Sequence, residues 1–179
     1  MYLPYSYASQ LNRHIGYVYD SAWQPNNSPD YTPIFRKGAR LVHAWIKPKS
    51  PCVNGLTPVD LSYLQGDLSN DKIKSWQYST LDTVATASFV LYYSGSSWGK
   101  KAAQLKALFA QNNLPLVTLE VGKDFDFVER KPGKAWQEGY GIGKSNALLV
   151  RPDQHVEAII PSAQSSQAVV DATLYSLGL

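Results

Sequence analysis

Three histidines, His14, His43 and His155, are the side chains here whose ordinary pKa lies near neutrality. His43 alternates with Val42 and Ala44 on an expected strand and stands two residues before Trp45. A histidine so held can move a proton near pH 7, and a neighbouring tyrosine or carboxylate can orient it or donate to a developing oxyanion. Tyr17 and Tyr19, on an earlier expected strand, and Asp20 just after it are residues of that kind. The competing role for His43 is packing or hydrogen bonding. Histidines at the paired spacing that would ligate a metal are missing, so a metal site is not expected. Asp124, Asp126 and Glu129 offer carboxylates for acid/base work, but they stand among Lys123, Arg130, Lys131 and Lys134 and read as a solvated loop.

Twelve tyrosines, five phenylalanines and five tryptophans supply rings for packing or for a planar ligand. Many fall early, at Tyr2, Tyr5, Tyr7, Tyr17, Tyr19, Trp23 and Tyr31. Trp45, Tyr92 and Trp98 are the candidates to meet a bound ligand. The spaced glycines of Gly139 to Gly143 lead into no expected helix, so a dinucleotide fingerprint is not supported, and neither a P-loop nor a Gly-x-Ser-x-Gly elbow occurs.

These residues must be positioned by a chain of 179 residues, 44% hydrophobic and 17% charged, the profile of one globular domain with a sizeable core. The net charge of +3 is spread along the chain, so nucleic acid is not an expected partner. The single cysteine, Cys52, excludes an internal disulfide and suits a reducing cytoplasm. No apolar stretch is long enough for a membrane span, and the N-terminus lacks the pattern of a signal peptide.

Residues 1–30 read as an aromatic-rich segment with a short strand from Ile15 to Tyr19, and residues 31–179 as the domain proper. Residues 39–47 are an expected core strand; residues 48–58 a loop; residues 59–65 a short strand or helical turn. Ala85 to Tyr93 is an apolar strand. Trp98, Ala102, Leu105, Leu108 and Phe109 then recur as one face of a helix, with Ser96 or Ser97 as its cap. A strand follows from Leu116 to Val121. Residues 147–151 and 155–160 form a hairpin around Pro152-Asp153-Gln154, where proline and aspartate suit the turn. A last helix from near Ser162 carries Val169, Val170, Leu174 and Leu177 and stops at Gly178. Strand, helix, strand, hairpin, helix is a thioredoxin-like α/β order, a central mixed sheet flanked by helices. Where such a fold carries its redox cysteines, this chain has Ser94-Gly-Ser-Ser-Trp98, so disulfide exchange is excluded; a helix cap is the main reading, with an anion held at the helix N-terminus as the alternative.

Residues 36–46 (RKGARLVHAWI), 140–156 (YGIGKSNALLVRPDQHV) and 15–22 (IGYVYDSA) together resemble the C-terminal thioredoxin-like domain of the flavin-dependent aromatic hydroxylases, the phenol-hydroxylase-like monooxygenases. Residues 15–22 are similar to the strand that closes their substrate domain. The resemblance implies that the strand of Tyr17 and Tyr19 lies one loop from that of His43. It also implies that the domain packs against its own chain or a dimer partner, so no catalytic residue is carried over. A glycine often follows the turn aspartate in the family; here Gln154 stands there, which implies a different turn geometry. The family's flavin-binding glycine motif has no counterpart, so no cofactor and no complete monooxygenase reaction are expected of this chain. Two functions follow. One is a stand-alone derivative that binds a small aromatic or polyketide-like metabolite, with a cofactor-free cyclisation, isomerisation or dehydration in secondary metabolism. The other is a non-catalytic module, a fragment or a partner of a flavoprotein, or a homodimer.

Overall fold

The computed structural model describes residues 16–19, 32–54, 56–84, 87–143 and 145–179. Its centre is a four-stranded sheet built from β3 (Phe89–Tyr93), β4 (Leu116–Glu120), β6 (Asn146–Val150) and β7 (Val156–Pro161), in the order β4-β3-β6-β7. β3 and β4 are parallel; β6 runs antiparallel to both β3 and β7. The parallel pair needs a crossover, and helix α3 (Ser96–Gln111) supplies it. This is the thioredoxin-like arrangement, with a mixed central sheet between helices. A second sheet of three short strands, β1 (Trp45–Pro48), β2 (Tyr78–Ser79) and β5 (Phe125–Phe127), is antiparallel with β1 in the middle.

β3 is buried at every position, and its alternation sorts side chains to two cores. Phe89, Leu91 and Tyr93 meet Trp98, Ala102, Leu105 and Phe109 of α3 together with Val169 and Val170 of helix α5 (Ser166–Leu177). The expected face of α3 is therefore the one it buries. Val90 and Tyr92 point the other way, towards the small sheet and helix α4 (Arg130–Tyr140), where Trp136 and Tyr140 are buried. α5 is capped as its sequence suggests: the Ser165 side chain accepts from Ala168 N, and Gly178 ends it in the left-handed conformation.

Several expectations give way to local physics. Residues 39–47 are not one strand. Ala39 and Arg40 make single bridges, to Val18 and His155, and regular pairing starts only at Trp45. In between, Thr80 stands in for a partner strand. Its hydroxyl donates to Val42 O at 3.0 Å and accepts from Ala44 N at 3.1 Å, and its own N–H donates to Ala44 O at 2.9 Å. The apolar run from Ala85 pairs only from Phe89, and Ala85 and Thr86 lie outside the described residues. Ser96 and Ser97 are the first residues inside α3, whose cap is Gly95 at φ 84°, with no side-chain capping bond. The last helix begins at Ser166 rather than near Ser162.

The larger departure lies at residues 123–134, expected as a charge-mixed loop; they hold β5 and the start of α4, which runs on to Tyr140. Gly133 and Gly139 are needed inside α4 because a Cβ at either would run into the rings of Phe127 and Phe35. Residues 48–58 likewise hold a helical turn, α1 (Pro51–Asn54), and the polar stretch 66–82 holds α2 (Asn70–Ser75) and β2. Gln154 does adopt a left-handed backbone, φ 66°, although it is not glycine.

Candidate functional site

The aromatic core below the small sheet is laced with hydrogen bonds. Trp136 Nε1 donates to Val42 O at 2.9 Å, and Val42 N donates to Tyr140 OH at 3.1 Å. Tyr92 OH donates to Thr80 O at 3.1 Å and shares a short bond with Thr83 Oγ1. Burial pushes the Tyr92 phenol far above its ordinary pKa, so it stays protonated. The rings of Phe125, Tyr92, Trp136 and Tyr140 meet edge-on in sequence, with centroids 5.1–6.3 Å apart. The network holds residues 42–44 rigidly and turns the His43 side chain outward.

His43 is exposed, and its ring stands edge-on to Trp45 at 4.6 Å. Desolvation of the imidazole lowers its pKa, with nearby Asp82 pulling the other way, so the ring is neutral at pH 7. Trp45 in turn stacks on Trp76 at 5.7 Å and 7° between planes, and Lys72 lies over Trp76 at 5.2 Å. Trp76 caps the C-terminus of α2. The ladder of His43, Trp45, Trp76 and Lys72 therefore fixes α2 against β1.

Between α2 and the small sheet lies an open cleft of about 750 Å³. Tyr78, Phe127 and Val128, each partly exposed, give it an apolar surface with Ile46 and Val53 buried behind it, and Lys47, Asp71, Lys74, Gln77 and Asp126 a polar rim. Its volume is within the usual range for a small-molecule site, about 300–1,000 Å³. Sequence reasoning did not find this cleft, because three of its walls come from segments read as loops or left unassigned.

Tyr17 and Tyr19 form a second cluster. Each is about half exposed, and their rings meet edge-on at 5.2 Å. The Tyr19 ring also touches His155 at 4.6 Å and carries the Arg151 guanidinium at 4.7 Å. Asp153 pairs with Arg151 and accepts from His155 N at 3.1 Å. The backbone is close here as well. Tyr19 N donates to Gly38 O at 2.9 Å, and a Cβ on Gly38 would lie 2.8 Å from Tyr19 O. So the ring partner of Tyr19 is His155, whereas that of His43 is Trp45. Asp20 and His14 lie outside the described residues, as do Tyr2, Tyr5, Tyr7, Trp23 and Tyr31. Of the expected ligand-facing rings, Trp45 is half-buried against Trp76 and does not line the cleft. Tyr92 is wholly enclosed in one core, and Trp98 is 3% exposed in the other. No group of three metal-ligating side chains occurs among the described residues. No helix among them is long and apolar enough to cross a membrane.

No family model and no curated protein matches the chain. Solved structures do. Aklavinone-11 hydroxylase, in a ternary complex with FAD and aklavinone, matches at 23% identity and TM-score 0.58 over 91% of this chain and 25% of its own. The flavin-dependent monooxygenase PieE, in complex with FAD and substrate, matches at 22% identity and TM-score 0.55 over 93% and 26%. This chain has the fold of part of a flavin-dependent hydroxylase. It spans about a quarter of the length of those chains. The likeness read from residues 15–22, 36–46 and 140–156 thus holds for the fold, which does not by itself assign an activity.

Proposed function

We propose that this thioredoxin-like domain binds a small aromatic or polyketide-like metabolite in the cleft between α2 and the small sheet. One observation carries the reading: a cleft of about 750 Å³ with an apolar, partly aromatic floor and a polar rim, its walls braced by the Trp45–Trp76 stack. The solved structures that share this fold hold FAD with aklavinone or with substrate, which points to the same ligand chemistry. The binding test is titration with planar polycyclic aromatics, followed by quenching of tryptophan fluorescence. Saturable binding is expected, weakened at least about tenfold by Tyr78→Ala or Phe127→Ala, since each removes an apolar contact of about 1.4 kcal/mol or more. Absence of saturable binding across such a series would remove the proposal.

A cofactor-free cyclisation, isomerisation or dehydration would draw its base from His43, neutral at pH 7, which does not line the cleft and would have to act on a ligand edge that reaches past it, while Tyr17 and Tyr19 stand apart beside His155. Turnover should then fall about a hundredfold in His43→Ala at unchanged melting temperature. A second reading, a non-catalytic packing module for a flavoprotein or a second copy, is favoured by the half-exposed Tyr17 and Tyr19 and by the quarter-length match. Light scattering of the chain alone and mixed with a flavin-dependent hydroxylase separates the two.

A further inference from the structure

The rim of the cleft carries an asymmetry of charge that narrows its ligand. Four charged side chains line it: Lys47, Lys74, Asp71 and Asp126. Asp126 is already answered, because Lys49 Nζ lies 3.2 Å from its carboxylate while also donating to Gly122 O at 2.6 Å. Lys49 belongs to no wall of the cleft, so it neutralises Asp126 from outside. Asp71 stands in the first turn of α2, where an acidic group suits the helix end. It lies one turn before Lys74 on the same helix and can neutralise at most one of the two lysines. Lys47 and Lys74 have no ion-pair partner among the described residues, and they approach the cleft from opposite walls, Lys47 from β1 and Lys74 from α2. The cleft therefore presents two ammonium groups, with Asp71 beside Lys74 and with Asp126, already paired to Lys49, cross-strand from Lys47.

Resting on the binding reading above, we infer that the cleft takes an anionic ligand: a planar aromatic body carrying a carboxylate or another acidic group, with Lys47 and Lys74 as the residues that select it. The partly exposed Tyr78, Phe127 and Val128 would accept the rings, and the two lysines would reach the acidic edge. Ser75 and Gln77 supply uncharged polar groups on the same rim. A cationic ligand would meet two like charges with only Asp71 to offset them. A neutral one would leave both lysines unanswered.

The experiment compares anthraquinone-2-carboxylate with its neutral isostere anthraquinone-2-carboxamide, read by tryptophan quenching and by calorimetry at low and high salt. The acid should bind about tenfold more tightly than the amide, with a preference that shrinks as salt screens the charges. Lys47→Gln and Lys74→Gln should each weaken the acid about threefold to fivefold, the scale of a solvent-exposed ion pair, and leave the amide unchanged. Asp71→Asn should tighten the acid, which a variant that merely perturbs folding would not do. Equal affinity for acid and amide, unmoved by the lysine substitutions, overturns the charge selection while leaving the cleft as an aromatic site. Failure of both probes to bind overturns the cleft reading itself.

Discussion

The two faces of the central sheet are built on different principles. On the side of α3 and α5 the contacts are mainly apolar: Leu105, Phe109, Leu149 and Val170 interlock, and Phe89 meets Phe109 edge-on at 5.6 Å, with one side-chain bond between the helices, Ser166 Oγ donating to Gln104 Oε1 at 3.0 Å. On the side of α4 and the small sheet, Tyr92, Trp136, Tyr140 and Thr80 combine burial with directed hydrogen bonds to residues 42–44. The two buried tryptophans make the contrast plain. Trp136 Nε1 has Val42 O as acceptor, whereas Trp98 Nε1 is buried with no hydrogen-bond partner among the described residues. The first face holds the domain together without specifying direction. The second fixes the path of one particular segment, and that segment leads into the strand that floors the cleft.

The largest effect should come from the apolar face. Phe109→Ala removes a ring with 0% exposure and should cost about 3–5 kcal/mol in chemical denaturation, since it leaves a cavity where the ring filled the core. Thr80→Val, nearly isosteric, should cost about 2–3 kcal/mol by stranding Ala44 N and weakening the hold on Val42 O. Unlike Phe109→Ala it should also dull binding in the cleft. If it destabilises without touching binding, the two faces are less distinct in function than in construction. The paired substitutions Trp136→Phe and Trp98→Phe sharpen the point: each loses similar ring area, but only Trp136 loses a bond, so it should be worse by about 1 kcal/mol. Equal losses would mean that the Val42 bond contributes nothing.

The smallest effect is one of pH. The folded pKa of His43 is lowered, so the unfolded chain binds the proton more readily. This contribution to stability is present above the ordinary histidine pKa and is lost as pH falls through it towards the lower folded value. His43→Gln should flatten that part of the stability profile between neutral and mildly acidic pH, measured by urea midpoints. A steeper profile in the variant would reverse the assignment.

How much of this was legible in the sequence depends on whether a segment's neighbours in space are also its neighbours in sequence. α3 announces itself by apolar spacing, and the β6–β7 hairpin by its Pro-Asp turn, because periodicity and turn chemistry are local. α4 does not. RKPGKAWQEGY contains a proline and two glycines and few apolar residues, so propensity argues against a helix. Trp136 and Tyr140, four apart, were the available signal, and the glycines become intelligible only once Phe127 and Phe35 are seen against them. The broken strand at 39–47 is a similar case, since its β pattern is real and its pairing is displaced by one threonine 36 residues away from Ala44. Of the site, Trp45 was legible as an aromatic beside a strand histidine. The cleft was not, since its walls come from α2, β1, β2 and β5, and three of these are short elements in stretches that read as loop or gave no pattern.

Gln154 has a consequence for how the molecule assembles. Its backbone sits at φ 66°, and its amide oxygen accepts from Arg40 Nη2 at 2.9 Å while its amide nitrogen donates to Leu81 O at 3.2 Å. One side chain thus joins partners 114 and 73 positions away in the chain. A left-handed glutamine costs about 1–3 kcal/mol until both tethers arrive, so the turn can close on itself early but settle only when the rest is in place. It is a late fastening. Gln154→Gly, which removes the backbone penalty together with both tethers, should leave the refolding rate close to that of the parent and speed unfolding, the signature of contacts formed after the rate-limiting step.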